Sequence, residues 1–392
     1  MLKLLSLRQE VLARWAVIGL LILLCAPWVL PSSKLYHQLT AVFLWLPALL
    51  ALFHNDFRAR LRQPEILLFA ALALWTLLVL LVQGAAEPQS KVKLPFYVAL
   101  SLLGVMLAAL DVRWSLESLL RLCVWLGGLG AAASTLYYFG AGPAPGQRLI
   151  ALGLWDTAIM AAHAVGALSL LGVFLYIRPI NKPALSVSLA LVALAYVVFL
   201  GLNHTRGVWL ALFVALIFLL LAKPTRKGFL VILLMLVGVA ALAIVEPQSI
   251  VERGVSYRPT LWMGGIQLFS DNWLLGLGFK PYEIAVPAIH VSFKHPHNLF
   301  LDIAVRLGLP GLMLFSLLWL ATLWRAWLNR GEPLGRALLA LWTFASVALL
   351  TDGIGLWLKP NADWLITWLP IALGMVLAMR CAAVNVEDKS ER

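Results

Sequence analysis

Apolar residues run for 15 to 21 positions at a time along this chain, and short polar connections separate the runs. A membrane-spanning helix needs about 20 mostly apolar residues. Apart from a closed barrel, the helix is the form that satisfies its own backbone in lipid. The runs predict spans near 15–31, 39–53, 66–82, 94–110, 119–139, 157–177, 184–202, 208–222, 228–245, 307–327, 337–351 and 364–379. The expected fold is an all-α polytopic membrane protein of about twelve helices, one integral membrane domain over 1–392, with a single long loop at 246–297 between the ninth and tenth spans. The first run ends Cys25-Ala26-Pro27-Trp28, without a small-x-small cleavage pattern, and so reads as an uncleaved span.

Composition sharpens this picture. Of 392 residues 62% are hydrophobic and 12% charged, and the mean hydropathy is +0.92. A net charge of +12 in a soluble protein would point to nucleic acid. Here the cations sort by side of the membrane, so no nucleic-acid partner is expected and membrane lipids are. With the N-terminus inside, 19 of the 30 Lys and Arg residues fall in cytoplasmic segments and 11 outside, which places both termini in the cytoplasm. Five of the outer cations, Arg253, Arg258, Lys280, Lys294 and Arg306, lie in or just after the long loop, and Arg206 lies in a very short outer connection. Cations held against the topological bias at the outer surface call for an anionic partner there, or for lipid phosphate. Cys25, Cys123 and Cys381 have no paired spacing for disulfides or zinc.

The loop has structure of its own. Residues 256–269 read as an interfacial helix entered through Pro259, and Asn272 to Phe279 form a glycine-rich turn suited to close backbone approach. Just beyond lies the densest polarity in the chain, Lys294-His295-Pro296-His297-Asn298, then Asp302 and Arg306. Leu299, Ile303 and Leu307 share a face of a helix that returns into the membrane, with Asn298 a candidate cap, so His297 sits at its outer mouth. A neutral imidazole there suits general-base work. His295-x-His297 without an acidic pair does not make a metal site. Asp302 lies too far round the helix to orient His297, which leaves Asp352 or Asp363, at the outer ends of the last two spans. Asp156 and His163 share a face of the sixth span and form an intramembrane ionisable pair, functional or structural. His37 and His54 read as solvated.

Three segments carry a resemblance. His297-Asn298-Leu299-Phe300-Leu301 with Gly308-Leu309-Pro310-Gly311, Thr205-Arg206-Gly207-Val208-Trp209, and Arg258…Trp262…Asn272-Trp273-Leu274-Leu275-Gly276-Leu277-Gly278 are similar, in order and spacing, to signatures of the O-antigen ligase and polymerase superfamily. Trp273 departs from the proline often found in the last of these. The resemblance implies a C-type glycosyltransferase membrane fold in the Gram-negative inner membrane, working at the periplasmic face. It implies inverting transfer of glycan from undecaprenyl diphosphate to a sugar hydroxyl of lipid A core, without metal or other cofactor. By the same resemblance His297 is the base and Arg206 and Arg258 bind the donor diphosphate, with Lys294, Asn298 and Asp352 as possible supports. A polymerase, which uses a second lipid-linked glycan as acceptor, and an oligosaccharyltransferase acting on protein remain open. A polytopic transporter or flippase is the alternative from another class, disfavoured because polarity gathers at one surface and not at the midplane.

Overall fold

The computed structural model describes residues 8–85, 87–144, 146–155, 157–176, 183–222, 226–245 and 257–390. Its longer helices are α1 (Gln9–Cys25), α2 (Pro64–Gln83), α3 (Pro88–Ala108), α4 (Leu116–Gly140), α5 (Ala158–Leu175), α6 (Pro183–Asn203), α7 (Arg206–Ala222), α8 (Arg226–Val245), α9 (Arg258–Asp271), α10 (Leu299–Leu328), α11 (Pro333–Asp352) and α12 (Trp368–Ser390). Starts follow local chemistry: Pro64, Pro88, Pro259 and Pro333 sit in first turns, where the missing N–H costs nothing. Ser115, Thr157 and Asn298 accept from backbone N–H groups as N-caps.

Among the described residues nine helices are long and apolar enough to cross a membrane. The other three expected spans fall on segments outside these nine. Residues 33–51 wind through Ser33–Thr40, a wider π turn at Ala41–Trp45, and Leu46–Ala51. The widening precedes Pro47, whose missing N–H disrupts the regular ladder. Arg206–Ala222 is shorter, at 17 residues, and Arg226–Val245 runs for 20.

The bundle centre is α5 and the segment Ala362–Cys381, with α7, α10 and α11 packed round them. At the rim, α6 turns Val187, Leu191, Leu194 and Val197 outward. An exposed apolar ridge at helical spacing is what a lipid-facing helix presents. Ion pairs gather at the bundle end where α2, α4 begin and α10 finishes: Arg325–Glu65 (2.5 Å), Arg380–Glu117 (2.6 Å) and Arg14–Asp111 (3.8 Å).

At the opposite end the long connection packs as a small layer. Its helix α9 lies against α10 and against a hairpin of β1 (Ile284–Val286) and β2 (Val291–Phe293), in register Ile284–Phe293, Ala285–Ser292, Val286–Val291. Leu261, Tyr282, Ile284, Val286 and Val305 make its core. The expected helix at 256–269 is therefore present from Arg258 to Asp271, with its Leu261 and Gly265 face turned into this layer and Met263 and Ile266 exposed. Residues 246–256, including Arg253, lie outside the described residues, as do Lys3, Arg178, Lys182, Lys223 and Arg392 of the charge count.

The glycine-rich turn docks on a break in α10. Gly308 has φ +65°, and ahead of it the carbonyls of Val305, Arg306 and Leu307 lose their helical donors. Leu277 and Gly278 N–H donate to Val305 and Arg306 (both 2.8 Å), the Trp75 indole to Leu307 (2.8 Å), and Leu309 N–H returns to Trp273 O (2.7 Å). A Cβ at Gly276 or Gly308 would overlap the facing backbone, so the two glycines allow the approach.

Candidate functional site

His297 is placed by a backbone turn. Its φ of +52° is left-handed, a conformation that costs an L-residue roughly 1–2 kcal/mol, and it swings the chain into α10 one residue before the Asn298 cap. Asn298, 8% exposed, accepts from Leu301 N–H at 3.1 Å, so its part is to start the helix that fixes His297.

The imidazole Nδ1 of His297 lies 2.6 Å from Oδ1 of Asp352, the last residue of α11. The other oxygen of that carboxylate faces Arg258 Nη2 at 3.3 Å, and Arg258 Nε donates to the carbonyl of Thr351. An ionised Asp352 only accepts, so Nδ1 is the donor in this contact. Imidazole, carboxylate and guanidinium thus come from three segments that are 39 or more residues apart in sequence. The His297 side chain is 22% exposed, Arg258 32% and Asp352 6%.

Arg206 opens α7 and is exposed. Its neighbour Gly207 packs on Thr351, which brings the start of α7 beside the end of α11. The preceding turn is held by Asn203, whose amide donates to Leu149 O and Ala158 O (both 2.8 Å), and by Arg148, which donates to Asn203 O (2.9 Å) and Thr205 Oγ1 (2.6 Å). Sequence reasoning missed Arg148: its partners lie more than 50 positions away, and nothing local marks it.

A second cluster stands beside the first. Arg306 Nε donates to both oxygens of Asp302 (3.1 and 3.2 Å), one turn back on α10, and Tyr282 OH donates to Asp302 Oδ1 at 2.6 Å. The Arg306 guanidinium lies over the Tyr282 ring, 4.9 Å from its centroid. Burial and the Asp302 charge push the Tyr282 phenol far above its ordinary range, so it stays a donor. His295 bridges the clusters, its ring centroid 4.2 Å from that of His297. Burial, then the neighbouring His297, hold the His295 pKa below its ordinary value. Lys294 is exposed and faces an adjoining cleft, away from the His297–Asp352 contact.

The structure adds partners for His163 and changes the reading of His37. His163 pairs with Asp363, Nδ1 to Oδ1 at 2.8 Å, both buried, while Asp156 lies outside the described residues. The expected Asp156–His163 pair thus lies outside the described residues, and the His163–Asp363 pair, across 200 residues, was not legible in the sequence. Of the two carboxylates considered for His297, Asp352 holds that place and Asp363 serves His163. His37 is half-buried against Pro360 O at 3.0 Å, not solvated. Among the described residues no group of three or more His, Cys, Asp or Glu side chains is placed to hold a metal ion.

Two comparisons bear on this site. Residues 189–316, which include Arg206, Arg258 and His297, match the O-antigen ligase family. The chain is also 29% identical to an O-antigen ligase of Pseudomonas aeruginosa over 377 residues, 93% of this chain and 91% of that protein.

Proposed function

We propose, for a chain similar over 93% of its length to an O-antigen ligase and over 189–316 to that family, a role in O-antigen and lipopolysaccharide biosynthesis as an inverting glycosyltransferase. It moves O-antigen glycan from undecaprenyl diphosphate to a sugar hydroxyl of lipid A core, at the periplasmic face of the inner membrane. In this reading the membrane domain has twelve spans with both termini cytoplasmic. The observation that carries the chemistry is the 2.6 Å contact of His297 Nδ1 with Asp352, which leaves Nε2 as a base at the mouth of α10.

The acceptor hydroxyl gives its proton to His297 Nε2 as its oxygen attacks the anomeric carbon. The bond from that carbon to the diphosphate oxygen breaks, its electron pair leaves with undecaprenyl diphosphate, and one displacement inverts the centre. Asp352 fixes the tautomer and stabilises the imidazolium, a general-base arrangement of the kind worth about 10²–10⁴-fold. Arg206 and Arg258 meet the charge growing on the diphosphate, and guanidinium forks suit phosphate oxygens. Arg258 also touches Asp352, so one cation senses both the leaving group and the base's carboxylate. No metal or other cofactor enters these steps.

The test is reconstitution. Purified protein is incubated with a lipid-linked glycan and lipid A core, and the joined glycolipid is sought by mass. Joined product is expected. A glycan chain lengthened on undecaprenyl diphosphate would establish the polymerase instead, and absence of both products from an active, folded preparation would overturn the reading.

A further inference from the structure

Beside His297 the chain holds an open cleft of about 410 Å³ whose lining is rich in cations. Lys91 from α3, Lys280 and Lys294 from the long connection and Arg306 from α10 face Glu87 and Asp302. Asp302 is committed to Arg306 and Tyr282, and Lys280 donates to the neutral amide of Gln83, at 3.3 Å. The cleft is therefore net positive. Its Arg306 is preorganised, pinned by Asp302 and stacked on Tyr282, so little freedom is lost when an anion docks. Trp357, 5% exposed, lines the same cleft, and its indole N–H has no hydrogen-bond partner among the described residues. Apolar Ile303, Leu307 and Leu358 complete the wall, so cations and hydrocarbon meet as they do where an anionic amphiphile enters a membrane surface.

We infer that this cleft binds the anionic saccharide headgroup of the acceptor glycolipid, through phosphate or carboxylate groups on its sugars. The inference rests on the transferase reading above and deepens it. A reaction between two glycolipids needs two sites converging on one base. None of His297, Arg206 and Arg258 lines the cleft, so it stands beside the diphosphate arginines and is not a part of them. It is nonetheless adjacent to the base: Lys294 is three residues from His297, and His295 touches the base on one side and lies within electrostatic reach of Asp302 and Arg306 on the other. An acceptor held there by its charged inner sugars directs a more distal hydroxyl toward Nε2.

Binding, not transfer, tests this, so the result stands whether or not joined product forms. The full chain in phosphatidylcholine nanodiscs is titrated with deacylated, phosphate-bearing lipid A core oligosaccharide, with the same oligosaccharide after phosphatase treatment, and with undecaprenyl diphosphate. Wild type is expected to bind the phosphorylated oligosaccharide at least about tenfold more tightly than the treated one, as charge-assisted hydrogen bonds of this kind provide. The double variant K91Q/K280Q, altered at side chains outside the core, is expected to lose that preference and to bind undecaprenyl diphosphate as wild type does. Three results would overturn the inference: unchanged oligosaccharide affinity in the variant, a loss falling on undecaprenyl diphosphate instead, or oligosaccharide binding abolished when phosphatidylglycerol replaces phosphatidylcholine, which would make the cleft a site for bulk lipid headgroups.

Discussion

His297, His204 and His290 are the non-glycine residues with positive φ among those described, and His297 meets the Asp352 carboxylate at hydrogen-bond distance. Strain at a residue held by its surroundings is a mark of function. Replacing Asp352 with Asn removes the charge that favours the imidazolium and permits the wrong tautomer, so kcat/KM for transfer is expected to fall by about 10²-fold or more, with donor binding retained. Steady-state kinetics at fixed donor check this. His295 gives a pH effect of known sign. Its pKa is lowered in the fold, so below about pH 6.5 the unfolded chain binds the extra proton and stability falls as pH drops. In melting curves between pH 7.5 and 5.5, H295N is expected to lose less stability than wild type; equal losses would contradict the burial argument. At this scale His297 was legible because its polarity stands out against an apolar chain. Asp352 was legible only as one of two candidates, since its partner is 55 residues away, and the His163 partner was hidden by a separation of 200.

Helix α10 owes its site to its break. The carbonyls freed before Gly308 are taken by the 273–278 turn and by Trp75, and that turn in turn carries the backbone of the layer holding α9 and Arg258. Gly276 is legible in sequence as part of a close-approach turn, although what it approaches is not, and Gly308 is legible only as part of the family signature. G276A is expected to lower the melting temperature, because its added Cβ meets the Arg306 carbonyl and φ is +67°. Activity is expected to fall further than stability, because Arg258 and His297 are supported from the same layer. A variant as stable and active as wild type would remove the turn from the account. The hairpin Ile284–Val286 with Val291–Phe293 was not legible, because three-residue strands around Pro287 leave no alternation long enough to see.

Across the whole molecule the two ends of the bundle divide the work. One end closes with arginine–carboxylate pairs such as Arg325–Glu65, with Glu65 only 4% exposed; the other gathers the histidines, arginines and aspartates of the site. Truncating Arg325 to Ala strands a buried carboxylate, which typically costs about 3–5 kcal/mol. R325A is expected to unfold at lower temperature while its folded fraction keeps the wild-type KM for donor and acceptor. The helical membrane class was legible from run length alone, whereas span boundaries were blurred where Pro47 widens a helix and where runs fall short of 18 residues. The central claim, that His297 is the base, meets its most direct test in single-turnover transfer by wild type, H297A and H297Q in one reconstituted membrane. The account predicts a loss of about 10²-fold or more in both variants with undecaprenyl diphosphate binding unchanged; transfer at the wild-type rate by either variant would contradict it.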